Sequence, residues 1–463
     1  MPPTKINKIK KKMEPQTTTT TRNFSDLKYL HGIANHHTTS SLPNALPPTN
    51  NPQKCPYGLY AEQISGTSFT QQRHLNKFSY LYRIKPSVTH KPFTPCLAHE
   101  FPNLNNDFDK EEFFETNPNQ LRWKPLAGPE VGKKVDFARS IFTMCGNGGP
   151  GMKSGLCIYK YSCNVSMGKE VLCNADGDFL VVPQIGTLEV ITEMGKLTVA
   201  AGEVAGIPRG IRFSVDVAGD SRGWVCEIFN GHFGTPDLGP IGGSGLANNH
   251  HFEIPEAAFE NVKSEFTIFQ KFGGKMFKCT QDNSPFNVVA WHGTYYPFKY
   301  DCAKFVTVNS VCHDHLDPSI FTVLTCPTSE PGTALCDFVI FPPRWLVAEG
   351  TFRPPYYHRN TMSEFMGNIS GTYDAKEAGF GPGCSSLHST MTPHGPEAEV
   401  FEKSSNAELK PVKLDNTLAF MFETCLLFRI YKKALGECMD MDEDYWKCWQ
   451  GLKSHFDDHD SQA

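Results

Sequence analysis

Nowhere does this chain hold the 18 or more consecutive apolar residues that cross a bilayer as a helix; runs such as Phe338 to Phe341 suit only the core of a strand. A membrane-embedded role is therefore not expected. Among its 16 cysteines there is no Cys-x-x-Cys pair, and no secretory signal precedes them, which argues against a disulfide framework. Reduced thiols follow, most of them acting as small buried hydrophobes, as Cys336 does in ALCDFVIF. Excess positive charge is also lacking: 44 Lys and Arg against 49 Asp and Glu leave a net charge of −5, which disfavours capture of a nucleic-acid backbone. Tandem repeats of solenoid length are absent as well.

What the chain does have is aromatic and turn-forming residues. With 34 Phe and 34 Pro in 463 residues, strands and loops are favoured over long helices, and the class expected is mostly β with few helices. Basic residues cluster only at the front, where Lys5, Lys8, Lys10, Lys11 and Lys12 precede the tract Thr17 to Thr21. That composition has no core to bury, so residues 1–27 are expected to form a disordered tail, with Met13 as an alternative start. The tail lacks the Arg-rich, amphipathic character of a transit peptide, and a cytoplasmic location is expected.

Residues 28–310 read as an N-terminal β-rich unit that begins irregularly. Leu59 to Phe69 is expected to be ordered, strands are expected in Tyr80 to Ile84 and in Ser284 to Trp291, and a short helix near Asp109. Leu172 to Phe213 sets apolar runs between turns at Gly177, Gly186, Gly195, Gly202 and Gly210, the pattern of an antiparallel meander. Its last part, AGEVAGIPRGIRF, is similar to a jelly-roll turn of cupin barrels, which extends the expectation to cupin-like jelly-roll barrels. Residues 311–455 read as a second, C-terminal unit of that kind, with a strand at Asp337 to Phe341, strands or a helical segment within Leu418 to Ile430, which periodicity does not separate, a helix near Asp442 to Leu452, and a short tail at 456–463.

The chemistry concentrates in PPYYHRNTMSEFMG, residues 354–367. His358 and Glu364 are six residues apart, so an unbroken strand would separate them by about 20 Å although both would face one side. A bend at Arg359, Asn360 and Thr361 would bring imidazole and carboxylate to one point. His394, held between Pro393 and Gly395-Pro396, is a third candidate whose backbone has little freedom. Two imidazoles and one carboxylate give a face that suits a non-haem Fe(II) ion with positions left open for substrate and dioxygen. The same residue types also suit zinc, and spacing alone does not decide between a ligand set and an ordinary polar strand.

Longer motifs add to this. CPYGLYAEQISGTSFT (55–70), NADGDFLVVPQ (174–184), DLGPIG (237–242), NVVAWHG (287–293), DFVIFPPRW (337–345), PPYYHRNTMSEFMG and LHSTMTPHGP (387–396) stand in one order and at similar intervals in the homogentisate 1,2-dioxygenases. From about residue 28 to 455 the chain resembles that family. The early HGIANHH (31–37), the CGNGG at 145–149 and Thr361, a place often held by cysteine, depart from its pattern without removing a candidate ligand.

The resemblance implies His358, Glu364 and His394 as iron ligands, with His394 also at the substrate. It implies His315, in CHDHLDP, as a catalytic histidine that handles the second ring hydroxyl, since an imidazole exchanges protons near neutral pH. His313 lies two residues away and competes for the assignment. It further implies Tyr373 as a substrate-binding residue for the acetate carboxylate, and His388 as an outer-sphere group beside the ligands. The reaction implied is cleavage of homogentisate by O2 to maleylacetoacetate in tyrosine and phenylalanine catabolism, by a hexamer built as a dimer of trimers. A zinc or manganese cupin isomerase or hydrolase, and a storage bicupin with incidental histidines, are the competing readings; the ordered motifs weigh against both.

Overall fold

The computed structural model describes residues 22–237, 239–308, 310–376 and 379–456. The lysine and threonine tract and Met13 lie outside the described residues. From Arg22 onward the chain is tied down: its guanidinium meets Asp216 at 3.3 Å and Glu260 at 3.0 Å.

Strands dominate the described residues, and the α-helical elements are short, Phe137–Ser140 and Ala398–Ser405. This agrees with the mostly β class expected from the aromatic and proline content. Among the described residues, no helix is long and apolar enough to cross a membrane. The helix expected near Asp109 does not form; turns run from Asp107 to Phe114, closed by bonds from Lys110 N to Asp107 O and Phe113 N to Lys110 O. Near the C-terminus the expected helix is one short 3-10 segment, Tyr445–Trp449.

The segment Leu172 to Phe213 is not a meander. Its strands are shared between two sheets: Asp178–Ile185 and Glu203–Ile207 join a ten-stranded sheet, whereas Glu170–Asn174, Leu188–Thr192, Gly195–Val199 and Arg212–Asp216 join a seven-stranded one. The physical reason lies in how much of each strand is buried. Several of these strands are buried on both faces, Asp178–Ile185 at every position but the last, and a single ribbon cannot cover both faces whereas packed sheets can. Phe179 and Phe213, from opposite sheets, meet at 6.4 Å in one continuous core. The strand orders among the described residues are open ones, so the sheets are not seen as closed barrels.

The second half builds a six-stranded sheet in the order Thr322–Pro327, Ala334–Phe341, Thr417–Thr424, Ser363–Gly371, Ser385–His388, Leu121–Trp123. Its last strand comes from the first half, and the C-terminal strand Arg429–Tyr431 pairs in return with Phe142–Gly149 of the ten-stranded sheet. The halves thus exchange strands and share a core. At their contact Trp224 meets Phe420 edge-on at 4.9 Å, and its indole donates to the Ser385 hydroxyl at 2.9 Å. Gly367 makes that contact possible: a Cβ there would lie 2.3 Å from the Phe420 ring and 3.1 Å from Trp224. Burying a ring of this size stabilises by roughly 1.5–3 kcal/mol, so Trp224 and Phe420 anchor the sheet that carries the site.

Candidate metal centre

Glu364 is the second residue of Ser363–Gly371, flanked in register by His388 on one side and Glu423 on the other. His358 lies just before this strand, and the chain bends at Thr361 and Met362 between them. Asn360 holds the bend. Its carboxamide oxygen accepts from Met362 N at 3.0 Å, while its Nδ2 donates to Glu364 Oε1 at 3.2 Å and to Glu423 Oε1 at 2.6 Å. The bend anticipated from the sequence is thus present, and its central residue also orients the carboxylate.

His358 and His394 face each other across a two-residue antiparallel bridge, each N–H donating to the other's carbonyl at 2.9 and 3.0 Å. Gly395 lets the two loops approach, because a Cβ there would stand 2.5 Å from the Tyr357 ring. The imidazoles come to 4.2 Å between centroids. His394 Nε2 lies 3.0 Å from Glu364 Oε2, and His358 Nε2 lies 3.7 Å from Glu364 Oε1.

Both rings are locked by their other nitrogen. His358 Nδ1 donates to Tyr356 O at 2.7 Å and His394 Nδ1 to Thr392 O at 2.9 Å. A carbonyl only accepts, so in a neutral ring the lone pair sits on Nε2 and points at the carboxylate. Acceptors facing acceptors at this distance repel unless a proton or a cation lies between them. One donor atom from each of the three residues falls within 4.8 Å of the others, so the donor set fits a divalent cation with backbone-tuned imidazoles.

The electrostatics agree. Burial pushes the Glu364 carboxyl upward, but the His358 and His394 imidazoles outweigh it and hold the group well below the usual carboxylate range. The Glu364 contact raises His358 against the effect of burial. Glu423 moves the other way, to about 7, through burial and the neighbouring charge of Glu364.

A cavity of about 430 Å³ opens beside the triad and is lined by His315, Tyr373, Lys376, His388 and Glu423 among others. His315 sits at its rim with Nδ1 on Leu316 O at 2.7 Å, whereas the His313 side chain is 95% exposed and does not line it. Tyr373 is buried against Phe341 and Phe380, and burial holds its phenol far up and protonated. His388 stacks on His394 at 4.0 Å and pairs with the Tyr445 hydroxyl at 2.9 Å; burial, then the Lys376 charge, keeps it neutral. All six residues anticipated from the sequence therefore meet at one cavity.

A family model described as the homogentisate 1,2-dioxygenase N-terminal region matches residues 28–302, and one described as its C-terminal region matches 303–456. The chain belongs to the homogentisate 1,2-dioxygenase family. Curated relatives carrying that name include one from Arabidopsis thaliana, 55% identical over 442 residues and covering 94% of each chain, and one from Caenorhabditis elegans, 53% identical and covering 94% of this chain and 98% of its own. The Homo sapiens homogentisate 1,2-dioxygenase is 52% identical over 440 residues, again covering 94% of this chain and 98% of its own.

Asn360, Glu423 and Lys376 are lining residues that reading the sequence did not single out as functional. A signal for Glu423 existed, since an acid in LAFMFETC interrupts an apolar strand. Asn360 and Lys376 look like ordinary loop residues in one dimension, and Tyr445 has no local signature.

Proposed function

We infer that this chain is a homogentisate 1,2-dioxygenase that uses Fe(II) and O2 to open the ring of homogentisate, giving maleylacetoacetate in tyrosine and phenylalanine catabolism. The observation that carries this reading is the convergence of His358, Glu364 and His394 beside a cavity large enough for one substituted ring, in a chain of this family. Those three residues would hold the iron. When bound, ferrous iron supplies electron transfer between a hydroquinone and triplet dioxygen, a step closed to the organic partner alone.

The chain's own residues do the rest. Two imidazoles fixed through Nδ1 and a carboxylate fixed by Asn360 present three donors on one side, leaving the cavity side to the substrates, so that ring and oxygen are held together rather than meeting by chance. His394 would touch the substrate as well as the metal. His315, at the rim, would accept the proton of the second ring hydroxyl. The protonated Tyr373 hydroxyl would donate to the acetate carboxylate, and the aromatic wall at Phe341, with Phe380 packed against Tyr373, would exclude water. His388 would brace His394 by stacking.

The reading extends to a cupin-like jelly-roll architecture with units near 28–310 and 311–455, to a hexamer formed as a dimer of trimers, and to the cytoplasm. The test is anaerobic purification, metal analysis, then oxygen uptake and product absorbance with homogentisate. Activity restored to metal-free protein by Fe(II) and not by Zn(II) is the expected result; restoration by zinc, or none with homogentisate, would overturn it.

A further inference from the structure

The cavity contains a lysine that the reaction as described above does not use. Lys376 is 3% exposed, and its side chain lies on the face of the sheet that carries Glu364, Met366, Ser386 and His388. Its Nζ donates to Ser386 Oγ at 3.3 Å, with the Phe380 and Tyr445 rings at 5.0 and 5.4 Å. An ammonium has three donors, and among the described residues only that one bond is made.

Two arginines of the lining are engaged within the fold, and a third, Arg359, is exposed at the cavity mouth rather than buried in it. Arg344 meets Asp374 at 3.0 Å, and Arg353 donates to the carbonyls of Glu408 and Lys410. The neighbouring Arg122 pairs with Glu397 at 3.0 Å and with Asp442, which leaves neither acid for Lys376. Burial, then the Arg122 charge, brings the Lys376 amine down to about 8, against weaker support from Glu397 and Glu364. A nearby anion would reverse that.

Burial alone does not make a lysine functional. Lys160 is equally enclosed and lowered to about 7, chiefly by burial, yet the void beside it has a volume of about 10 Å³, room for one water. Lys376 instead faces about 430 Å³. It is also linked to Tyr373 by a backbone bond from Lys376 N to Tyr373 O at 3.1 Å, so ammonium and phenol belong to one tight turn. Both lie within electrostatic reach of Glu364.

We propose that Lys376 is the counter-charge for the substrate's carboxylate and sets the preference for anionic hydroquinones over neutral ones. This rests on the homogentisate reading and sharpens it. A carboxylate entering a dry cavity loses its hydration, and an ammonium with spare donors replaces it better than a phenol alone. Lys376 also orients the ring, because the carboxylate end is fixed while the hydroxyl end faces the triad.

The test compares homogentisate with methylhydroquinone, which keeps both ring hydroxyls and lacks the carboxylate, on wild type, K376M and K376R. Binding is followed calorimetrically on zinc-loaded protein, where no turnover occurs, and KM and kcat on iron-loaded protein. K376M should weaken homogentisate binding and raise its KM at least 30-fold, leave methylhydroquinone within about threefold, and K376R should recover most of the loss. An equal loss for both compounds, or unchanged homogentisate binding, would overturn the proposal. If K376M does not fold, wild type decides: methylhydroquinone bound as tightly as homogentisate would sink the idea. Wild type that fails to convert homogentisate at all would instead defeat the functional reading, a result separable from any effect at Lys376.

Discussion

Two buried lysines in this molecule live under opposite regimes. Lys271, inside the N-terminal sandwich, sits 2.9 Å from Asp176 and 3.0 Å from Glu227, and those acids are themselves bonded by Tyr159, Asn174 and the Gly273 and Gly274 amides. Burial disfavours its charge, but the two carboxylates outweigh burial and raise its pKa. Lys376, equally buried at the cavity, has a single hydroxyl partner and is lowered. The difference separates this scaffold charge from the site: around Lys271, where nothing has to enter, the charge is satisfied from within, and at Lys376, where a ligand must enter, donors are left over.

That contrast breaks most visibly at the triad. His358→Ala or His394→Ala should remove bound iron and lower turnover by at least about 1,000-fold, since two ligands no longer fix the ion; metal analysis beside oxygen uptake checks this, with circular dichroism unchanged. Lys271→Met should act in the reverse manner, leaving Asp176 and Glu227 uncompensated at a cost of about 3–5 kcal/mol while the folded fraction still binds metal. Urea unfolding measures the first effect and iron content the second. Asn360→Ala removes the amide shared by Glu364 and Glu423, and metal affinity should fall by about 10–100-fold with a smaller change in stability. A competition titration with a chelator gives that number.

A smaller effect tests the sandwich by pH. Burial raises Asp178, but His232 and Arg209 prevail and hold it at about 2. Its folded pKa is depressed, so its stabilisation is present above the unfolded value near 3.9 and is lost as pH falls through about 2. Asp178→Asn should therefore cost on the order of 2 kcal/mol at pH 7, and the gap to wild type should close between pH 4 and 2. Least of all, Tyr445→Phe deletes one bond to His388, costing about 0.5–1.5 kcal/mol, with turnover within a few-fold.

The sequence disclosed ligand chemistry more readily than sheet membership. His358, Glu364 and His394 were legible because imidazoles and a carboxylate stand beside prolines and a polar bend, and the structure brings them within 4.8 Å. His315 and Tyr373 were legible only through the resemblance, since a lone histidine or tyrosine carries no spacing signal. The run Leu172 to Phe213 disclosed strands, yet not that they alternate between two sheets. Local periodicity fixes which face of a strand is apolar and is silent on which other strand covers it.

By itself, the amino-acid order indicated the strand-rich class, the reduced cysteines, the bend at Asn360 and three candidate donor residues, because each follows from side-chain chemistry and local chain geometry; that the three act as one set rested on the resemblance. Only the tertiary structure decided that Leu121–Trp123 completes the sheet of the site, that Glu423 faces Glu364, and that Lys376 is left with donors to spare. These are contacts between residues far apart along the chain. Whether a buried charge is matched or left waiting depends on what the fold places around it, and no stretch of neighbouring residues encodes that.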